Sequence, residues 1–383
     1  MRIYLDHNAT SPVLDSAREA MFEAAGLVGN PSSIHGEGRA VRSRLERARD
    51  AITALVGSGT ADGIVFTSGG TEADVSGIVG LGLAAVAAGA PARVVVLATD
   101  HPAVHGAAAA LVARGFASEV LAVDGAGQVD GLDLARRLAT PAAVVAVAAV
   151  NHETGVITDL AVVAAAARAA GARLHVDAVQ AAGRVPLAAI ALHADTLALS
   201  AHKLGGPAGV GALWIRSGVD LAPLAPGGHQ ERGRRGGTEN VVGAAGFAAA
   251  AAAVDLARAG EVAARAARLE RGILAIDGAR IHGAGAPRVG NTVNAGFAGA
   301  LGESIVMSLD LDGVAVSTGA ACTSGSVQPS PVLLAMGLDR AAAREGVRFS
   351  LGPSTTDAEL DRVLAILPGI VARVRAASRS IGG

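Results

Sequence analysis

Short valine-rich apolar runs alternate with longer segments rich in alanine, leucine and arginine through the first part of this 383-residue chain. The apolar runs predict strands at 64–67, 93–98, 143–150, 173–176, 196–199 and 211–215, and the longer segments predict helices at 41–56, 104–114 and 160–170. This alternation is typical of a mainly parallel sheet covered by helices on both faces. The sequence therefore predicts an α/β fold, in which ligands bind beyond the carboxyl ends of the strands.

The length favours two domains. A large domain is predicted at 13–257, and a smaller α+β domain is predicted from 1–12 together with 258–383. One long helix is predicted over 241–267, leading into strands near 280–282 and 291–297 and helices at 303–309 and 357–377. The apolar run 75–92 contains glycines and a proline, which favours a buried helix and loop over a membrane span.

Composition narrows the classes of function. Hydrophobic residues make up 51% of the chain, enough for a sizeable core, and the net charge of −2 gives no electrostatic case for binding nucleic acid or an anionic membrane. The first residues lack the apolar stretch of a signal peptide. One cysteine excludes an internal disulfide framework and a cysteine-clustered metal site, so we expect no metal and a reducing, cytoplasmic setting.

The thirty-two basic residues include a single lysine, Lys203, within Ser-Ala-His-Lys at 200–203. Arginine replaces lysine as a surface charge, but its guanidinium stays protonated and does not form a Schiff base. A lysine kept in an otherwise arginine-only chain is therefore a candidate for covalent chemistry. The alternative is compositional drift that left one lysine behind.

Two other polar clusters follow predicted strands. The glycine-rich turn at 67–72 opens a helix and is suited to hold an anion, although a plain helix cap has the same pattern. Asp177 ends a buried strand, where a carboxylate needs a partner such as a cationic ring nitrogen, unless it only caps a helix. An anion cradle, a buried carboxylate and a lysine at successive strand ends are what pyridoxal phosphate requires.

Longer motifs extend this pattern over nearly the whole chain. They are Tyr-Leu-Asp-His-Asn-Ala-Thr at 4–10 and the stretches 29–35, 67–74, 175–180, 200–203, 227–232, 235–238, 317–324 and 347–352. In these stretches the chain resembles the cysteine desulfurases of the class V aminotransferase family, of the nitrogen-fixation and housekeeping type. The resemblance implies a fold-type I pyridoxal-phosphate transferase.

The resemblance also implies roles for residues of the cofactor site. Lys203 would hold the cofactor and move the Cα proton, and Asp177 would pair with the pyridinium nitrogen. His101, also implied to be catalytic, would stack on the ring and help with proton transfer, unless it is merely a solvent-facing residue at a helix start. The remaining cofactor-binding residues implied are Gln180 and His152 at the ring hydroxyl, Gly70, Thr71, Ser200 and His202 at the phosphate, and Thr238 from a partner subunit. Shared sites of this kind imply a homodimer.

Cys322 lies in a turn-rich run of small residues at 317–326. An isolated cysteine is often a small buried hydrophobic residue, but no apolar periodicity flanks this one. The resemblance implies that its thiolate takes sulfur from the substrate as a persulfide. Arg348, placed at a strand end, would bind the substrate carboxylate unless it is an ordinary surface arginine, and Asn30 would also contact the substrate.

The implied reaction converts L-cysteine to L-alanine and passes sulfur from Cys322 to an acceptor protein of an iron–sulfur cluster or thiolation pathway. Selenocysteine lyase, or another class V aminotransferase, is an alternative on the same cofactor, and an inactive scaffold or sulfur-transfer subunit is an alternative from another class. The chain departs from the family pattern at His152, where asparagine is common, and at Val75. Because the segment after the last predicted helix is short, the sequence does not identify the protein that would accept the sulfur.

Overall fold

The computed structural model describes residues 2–319 and 328–381, with side chains as far as residue 378. The strands are β1 (Ile3–Tyr4), β2 (Ile64–Thr67), β3 (Arg93–Leu97), β4 (Ala117–Leu121), β5 (Val144–Ala148), β6 (Arg173–Asp177), β7 (Thr196–Ser200), β8 (Gly211–Ile215), β9 (Ala279–Ile281), β10 (Thr292–Phe297), β11 (Val314–Ala315) and β12 (Gly346–Ser350). The α-helices are α1 (Asp15–Ala25), α2 (Gly36–Val56), α3 (Gly70–Ala87), α4 (Pro102–Val112), α5 (Gly131–Leu138), α6 (Leu160–Ala169), α7 (Leu187–Ala191), α8 (Val241–Ala252), α9 (Leu256–Leu274), α10 (Gly302–Leu311), α11 (Pro331–Ala335), α12 (Arg340–Ala343) and α13 (Asp357–Ile381). Every strand predicted in the first part of the chain is present, with small shifts at its ends.

In the described part of the chain, the central sheet has seven strands in the order β2-β8-β7-β6-β5-β3-β4. Within this sheet β8 pairs antiparallel with β2 and β7, and the other pairs are parallel. The predicted α/β class with a mainly parallel sheet is therefore confirmed.

Helices bury both faces of the central sheet. Side chains of β3 alternate between two hydrophobic clusters: Val94 and Val96 pack with α3 and α4, whereas Val95 and Leu97 pack with α2, α5 and α6. Burial on both sides explains why the strands read as continuous apolar runs. Helix α3 is long and apolar enough to cross a membrane, but in this fold it lies against β6, β7 and β8.

A second lobe contains an antiparallel sheet in the order β12-β10-β9 and a short parallel pair of β1 with β11. Its core combines Ile3 and Leu5 from the start of the chain with apolar residues of α9, α10 and α13. The predicted packing of the first residues on this lobe is therefore observed. The domain limits at 12 and 257 stay a prediction.

The single helix predicted over 241–267 is wrong. Helix α8 ends at Ala252, α9 begins at Leu256, and the two axes are bent by 74°. Asp255 has an extended backbone, and its carboxylate accepts a hydrogen bond from the N–H of Ala257. A side-chain cap of this kind stabilises a new helix start, so the alanine-rich pattern is interrupted there.

The direction of the strands brings the candidate polar segments to one edge. Strands β2, β3, β6 and β7 run in the same direction. The glycine turn that follows Thr67 therefore lies at one edge of the sheet together with His101, Asp177 and Lys203, at or just beyond the carboxyl ends of these strands. The sequence prediction that ligands collect at this edge therefore has a structural basis.

A buried ion pair anchors the segment that precedes α8. Arg49 of α2 donates to both carboxylate oxygens of Glu231, at 2.5 and 2.8 Å, and both side chains are at most 2% exposed. Glu231 also accepts the N–H of Phe66 in β2. Its backbone is left-handed, with φ of 47°, a conformation that is costly for a residue with a side chain. The ion pair therefore holds a strained segment against the sheet.

We expect Glu231→Ala to lower the free energy of unfolding by about 3–5 kcal/mol, because it removes the buried bidentate partner of Arg49 and leaves only the half-exposed Glu46 to pair with that guanidinium. Glu46 contacts the same arginine at 3.3 Å but has a side chain that is 42% exposed, so Glu46→Ala is the matched control and should cost less than about 1 kcal/mol. Denaturant unfolding of the two variants measures the difference. Equal losses would contradict the assignment of Glu231 as the anchor.

Candidate active site

Lys203 lies in a single 3₁₀ turn, Ala201–Lys203, that follows β7. Its Nζ donates to the carbonyl oxygens of Asn8, at 2.5 Å, and Ala9, at 2.9 Å. Burial lowers the pKa of the amine to about 8, helped by the positive charges of Arg184 and Arg348. A substantial fraction of this amine is therefore unprotonated near neutral pH and able to act as a nucleophile.

Asp177 ends β6, one strand away from Lys203, and is 6% exposed. Its Oδ1 accepts the N–H of Val179 at 2.9 Å. Burial raises the pKa of the carboxyl group, while that hydrogen bond and the nearby His101 and Lys203 oppose the rise. A cationic partner would stabilise the ionised form of this acid.

Gln180 follows on the same segment, with both ends of its amide engaged within the protein. Its Nε2 donates to the carbonyl oxygen of Asn8 at 3.0 Å, and its Oε1 accepts from Arg184. Asn8 therefore receives hydrogen bonds from both Lys203 and Gln180. The role predicted for Gln180 at a ring hydroxyl stays a prediction.

Two imidazoles, His101 and His152, face each other with ring centroids 5.2 Å apart and planes at 79°. His101 caps α4, where its Nδ1 accepts the N–H of Ala103. Burial lowers the pKa of His101, and burial together with the charges of His101 and Arg348 holds the pKa of His152 well below its usual range. Both rings are therefore neutral at physiological pH. Nδ1 of His152 is buried without a hydrogen-bond partner in the described part of the chain.

The glycine turn after β2 opens α3 at Gly70, followed by Thr71. A Cβ placed on Gly69 would meet nothing within 4 Å, so the turn borders open space. A Cβ on Gly70 would come within 2.9 Å of Val179 and 3.3 Å of Ser200, which brings the ends of β6 and β7 against the start of the helix. Backbone N–H groups at such a helix start are suited to bind an anion.

His202 and Ser200 border the same edge. Nδ1 of His202 lies 3.2 Å from Oγ1 of Thr10, and burial next to Lys203 lowers its pKa to about 4. Ser200 is buried at the end of β7. A neutral imidazole and a hydroxyl are hydrogen-bonding groups without charge, so the positive charge beside the phosphate cradle comes from Lys203 and from the N-terminus of helix α3.

Arg348 lies in the middle of β12, so its predicted placement at a strand end is wrong. The reason is that β12 continues to Ser350 in pairing with β10. Its Nη2 donates to Asp6 at 2.7 Å and its Nη1 to the carbonyl oxygen of His152 at 3.0 Å. Nε is buried and has no partner among the described residues. The second lobe thus delivers a fixed guanidinium beside the two imidazoles.

Two of the predicted residues are not brought into this cluster. Asn30 is exposed, and its Oδ1 accepts the N–H of Ser32 in a local turn. Thr238 is exposed in the segment before α8. Cys322 lies outside the described residues. Their predicted roles stay predictions.

Glu153 is a buried acid in this region, and its sequence context did not predict a role for it. It is 1% exposed, its Oε2 accepts from Ser330 Oγ at 2.6 Å, and its Oε1 lies 3.8 Å from Nε2 of His152. A Cβ on Gly319 would come within 2.8 Å of its carboxylate, so it also packs against that glycine. Burial raises the pKa of Glu153 to about 7. The sequence signal that could have identified Glu153 is its position as a charged residue within the polar segment 151–155.

Comparisons with known proteins agree with the fold. A family model described as aminotransferase class-V matches residues 3–363. The chain is 44% identical over 381 residues to a cysteine desulfurase of Cereibacter sphaeroides, covering 98% of this chain and 97% of that protein. It is 38% identical to a cysteine desulfurase of Klebsiella pneumoniae, covering 98% and 94%.

Solved structures of other proteins have the same fold. A NifS-like protein superposes with a TM-score of 0.87 at 31% identity, covering 97% of this chain and all (100%) of that one. DndA from Streptomyces lividans superposes with a TM-score of 0.75 at 32% identity, covering 89% and 97%. The α/β architecture is therefore shared over nearly the whole chain.

We expect Glu153→Gln to change how stability depends on pH. The folded-state pKa of about 7 exceeds the ordinary value of 4.5, so the folded protein binds more protons between these values and loses stability as pH rises through them. The loss is at most about 3 kcal/mol for a shift of this size. Glutamine does not titrate, so the variant should gain stability relative to the wild type across this window.

The measurement is denaturant unfolding of the wild type and Glu153→Gln at several pH values from about 4.5 to about 7. The exposed Glu19 provides the control, since Glu19→Gln should leave the curve parallel to that of the wild type. A parallel curve for Glu153→Gln as well would show that Glu153 titrates normally.

Proposed function

The chain belongs to the class V aminotransferase family, and on this basis we propose that it is a pyridoxal-phosphate-dependent cysteine desulfurase that converts L-cysteine to L-alanine. One observation carries the proposal: the buried amine of Lys203, with its pKa near 8, lies at the same sheet edge as the buried carboxylate of Asp177. The relatives named cysteine desulfurase support this reaction over other reactions of the family.

The residues present fit pyridoxal phosphate. Open space borders Gly69 at the start of α3, where N–H groups suit a phosphate. Asp177 has one oxygen, Oδ1, bonded to the backbone, and no hydrogen bond from a described residue reaches the other, which leaves it available to a ring nitrogen. Lys203 supplies the primary amine for covalent attachment. Ser200, His202 and Thr71 would complete the phosphate contacts, with His101 against the ring.

When bound, pyridoxal phosphate supplies a protonated ring that accepts the electron pair left by removal of the substrate Cα proton. Lys203 would hold the cofactor covalently, and its amine, when free, would take and return that proton. Asp177, as a carboxylate, would keep the ring nitrogen protonated. His101 and His152 are neutral, so they provide contact and hydrogen bonds without competing for that proton.

Arg348 orients the substrate. Its guanidinium is fixed by Asp6 and by the carbonyl of His152, and its buried Nε is unpaired within the described residues. A substrate carboxylate would satisfy that N–H and the positive charge. Asn30 would assist if the loop that carries it approaches the substrate.

Cys322 receives the sulfur. Its thiolate attacks the sulfur atom of the substrate, so a sulfur–sulfur bond forms as the bond between sulfur and Cβ breaks. The carbon that loses sulfur takes a proton and leaves as alanine, and Cys322 keeps the sulfur as a persulfide. A thiolate is the nucleophilic form of cysteine, so this step requires Cys322 to be deprotonated.

We propose a homodimer in which Thr238 of one subunit contacts the phosphate bound to the other. The persulfide then passes to an acceptor protein of an iron–sulfur cluster or thiolation pathway in a reducing cytoplasm. The exposed position of Thr238 supports the first of these statements.

Single-turnover release of alanine from L-cysteine tests the reaction. The wild type should release alanine and carry a persulfide on Cys322, and because the chain has one cysteine the modified residue is unambiguous. Cys322→Ala should lose both products, and Lys203→Arg, which keeps the charge but forms no imine, should also lose covalent cofactor attachment. Transamination that survives Cys322→Ala would identify a different reaction of the family.

We expect Arg348→Lys to raise KM for L-cysteine by about tenfold or more with a smaller change in kcat, because an ammonium group does not reproduce the bidentate contact. Arg280→Lys is the control: Arg280 lies in the same sheet but pairs with Glu345 at 2.6 Å. Steady-state kinetics on both variants gives the comparison. A normal KM in Arg348→Lys would mean that another group binds the substrate carboxylate.

A further inference from the structure

Helix α3 presents three residues to β6 and β7 along one face: Gly70, Asp74 and Gly77. Gly70 lies at the phosphate cradle. A Cβ on Gly77 would come within 2.4 Å of Nδ1 of His175, so only glycine leaves room for that imidazole. Asp74 lies between them, under the cradle and against β6.

A hydrogen-bonded chain crosses this interface. Oδ1 of Asp74 lies 3.1 Å from Nε2 of His175, and Nδ1 of His175 lies 2.9 Å from Oγ1 of Thr196. Asp74 is 2% exposed, and the other two residues are completely buried at 0%. None of the three has a role in the proposed reaction, although a buried aspartic acid and a buried histidine are costly unless they serve the fold or the site.

These hydrogen-bonded side chains lie directly beside Asp177, the acid proposed to face the ring nitrogen. His175 and Asp177 are two residues apart on β6, so their side chains are on the same face of the sheet. Helix α3 covers this face. The charged groups that act on Asp74 are Asp177 and Asp100, and both are acidic.

These surroundings determine where the proton resides. Burial, together with the negative charges of Asp177 and Asp100, raises the pKa of Asp74 well above its usual range. Burial lowers the pKa of His175 to about 3. Both shifts favour the neutral groups, and in that state the O–H of Asp74 can donate to Nε2 of His175 while Nδ1–H of His175 donates to Oγ1 of Thr196.

We propose that Asp74 and His175 are positioning residues of the cofactor site, and that Asp74 acts as a neutral carboxylic acid so that Asp177 is the ionised acid on this face. Two buried carboxylates side by side disfavour each other's ionised form, so an ionised Asp74 would raise the pKa of Asp177 and favour its protonated form. The neutral pair avoids that effect and fixes the side chain next to Asp177 on β6. This inference rests on the proposed function, because it concerns the ring nitrogen of pyridoxal phosphate.

Infrared difference spectroscopy tests the proton on Asp74 in the protein without cofactor. A protonated carboxyl group has a C=O stretching band that a carboxylate lacks. The wild type minus Asp74→Asn difference should show this band at neutral pH, and the wild type minus Asp50→Asn difference, at an exposed aspartate, should not. A difference without the band would overturn the inference whether or not the protein binds pyridoxal phosphate.

The holoenzyme tests the connection to the cofactor. Asp74→Asn keeps a neutral donor to His175, so the ¹⁵N resonance of a labelled ring nitrogen should stay that of the protonated form. A loss of ring protonation in Asp74→Asn would show that Asp74 acts as an anion and would overturn the inference.

Thr196 gives a second pair of variants. Thr196→Val removes the acceptor for Nδ1–H, which makes the proton of the Asp74–His175 pair easier to lose and places a second charge beside Asp177. The pH midpoint of the cofactor absorption band should then shift by about one unit, whereas Thr196→Ser, which keeps the hydroxyl, should leave it unchanged. Equal midpoints in both variants would contradict the coupling.

The same experiments separate the two proposals. Absence of a cofactor absorption band in the wild type would contradict the proposed function, and the infrared result would still decide the state of Asp74. A normal wild-type band with no carboxylic-acid signal from Asp74 would contradict only the inference.

Discussion

The backbone and side chain of Asn8 join the two lobes at the reactive lysine, and the arrangement of the site depends on this junction. Its carbonyl oxygen accepts from Lys203 and Gln180 of the first lobe, while its side chain donates to Thr292 of the second lobe and to the carbonyl of His152. Two residues earlier in the chain, Asp6 holds the guanidinium of Arg348. Lysine and arginine are therefore held at a fixed separation by one short segment of backbone. Preorganisation of this kind lowers the entropic cost of placing a substrate between them.

Burial then gives these residues their chemistry. The valine- and alanine-rich sheet supplies a low-dielectric edge, where the charged form of each group is penalised unless a partner is present. The same cause lowers the pKa of Lys203 and raises that of Asp177, so the amine becomes nucleophilic and the acid gains from a cationic partner. Burial raises the pKa values of Glu153 and Asp74 as well, so these two acids are less ionised near neutral pH than exposed carboxyl groups are. A site built this way responds strongly to the charge of whatever binds in it.

Sequence reasoning predicted the sheet well, because buried parallel strands such as Val144–Ala148 are continuous apolar runs with little ambiguity. It also placed Asp177 and Lys203 at strand ends, since each directly follows such a run. It failed where tertiary contacts decide the result. The break before Leu256 depends on one capping aspartate, and Arg348 lies within β12 because that strand extends to Ser350 through its pairing with β10. The roles suggested for Asp74 and Glu153 depend on neighbours distant in sequence, which periodicity does not reveal.

The single lysine has a physical consequence beyond its position. Arg184 and Arg348 lower its pKa by their charge. Burial and the charge of Arg348 lower the pKa of Arg184 itself to about 9, which is still above that of the lysine. Lysines in their place would lose their own protons more readily when buried together, and the repulsion that makes Lys203 a nucleophile would weaken as pH rises. Arginine neighbours preserve that repulsion to higher pH. A chain that uses arginine for its fixed charges therefore leaves one amine whose ionisation near neutral pH is controlled by its surroundings, and this amine is where the proposed chemistry begins.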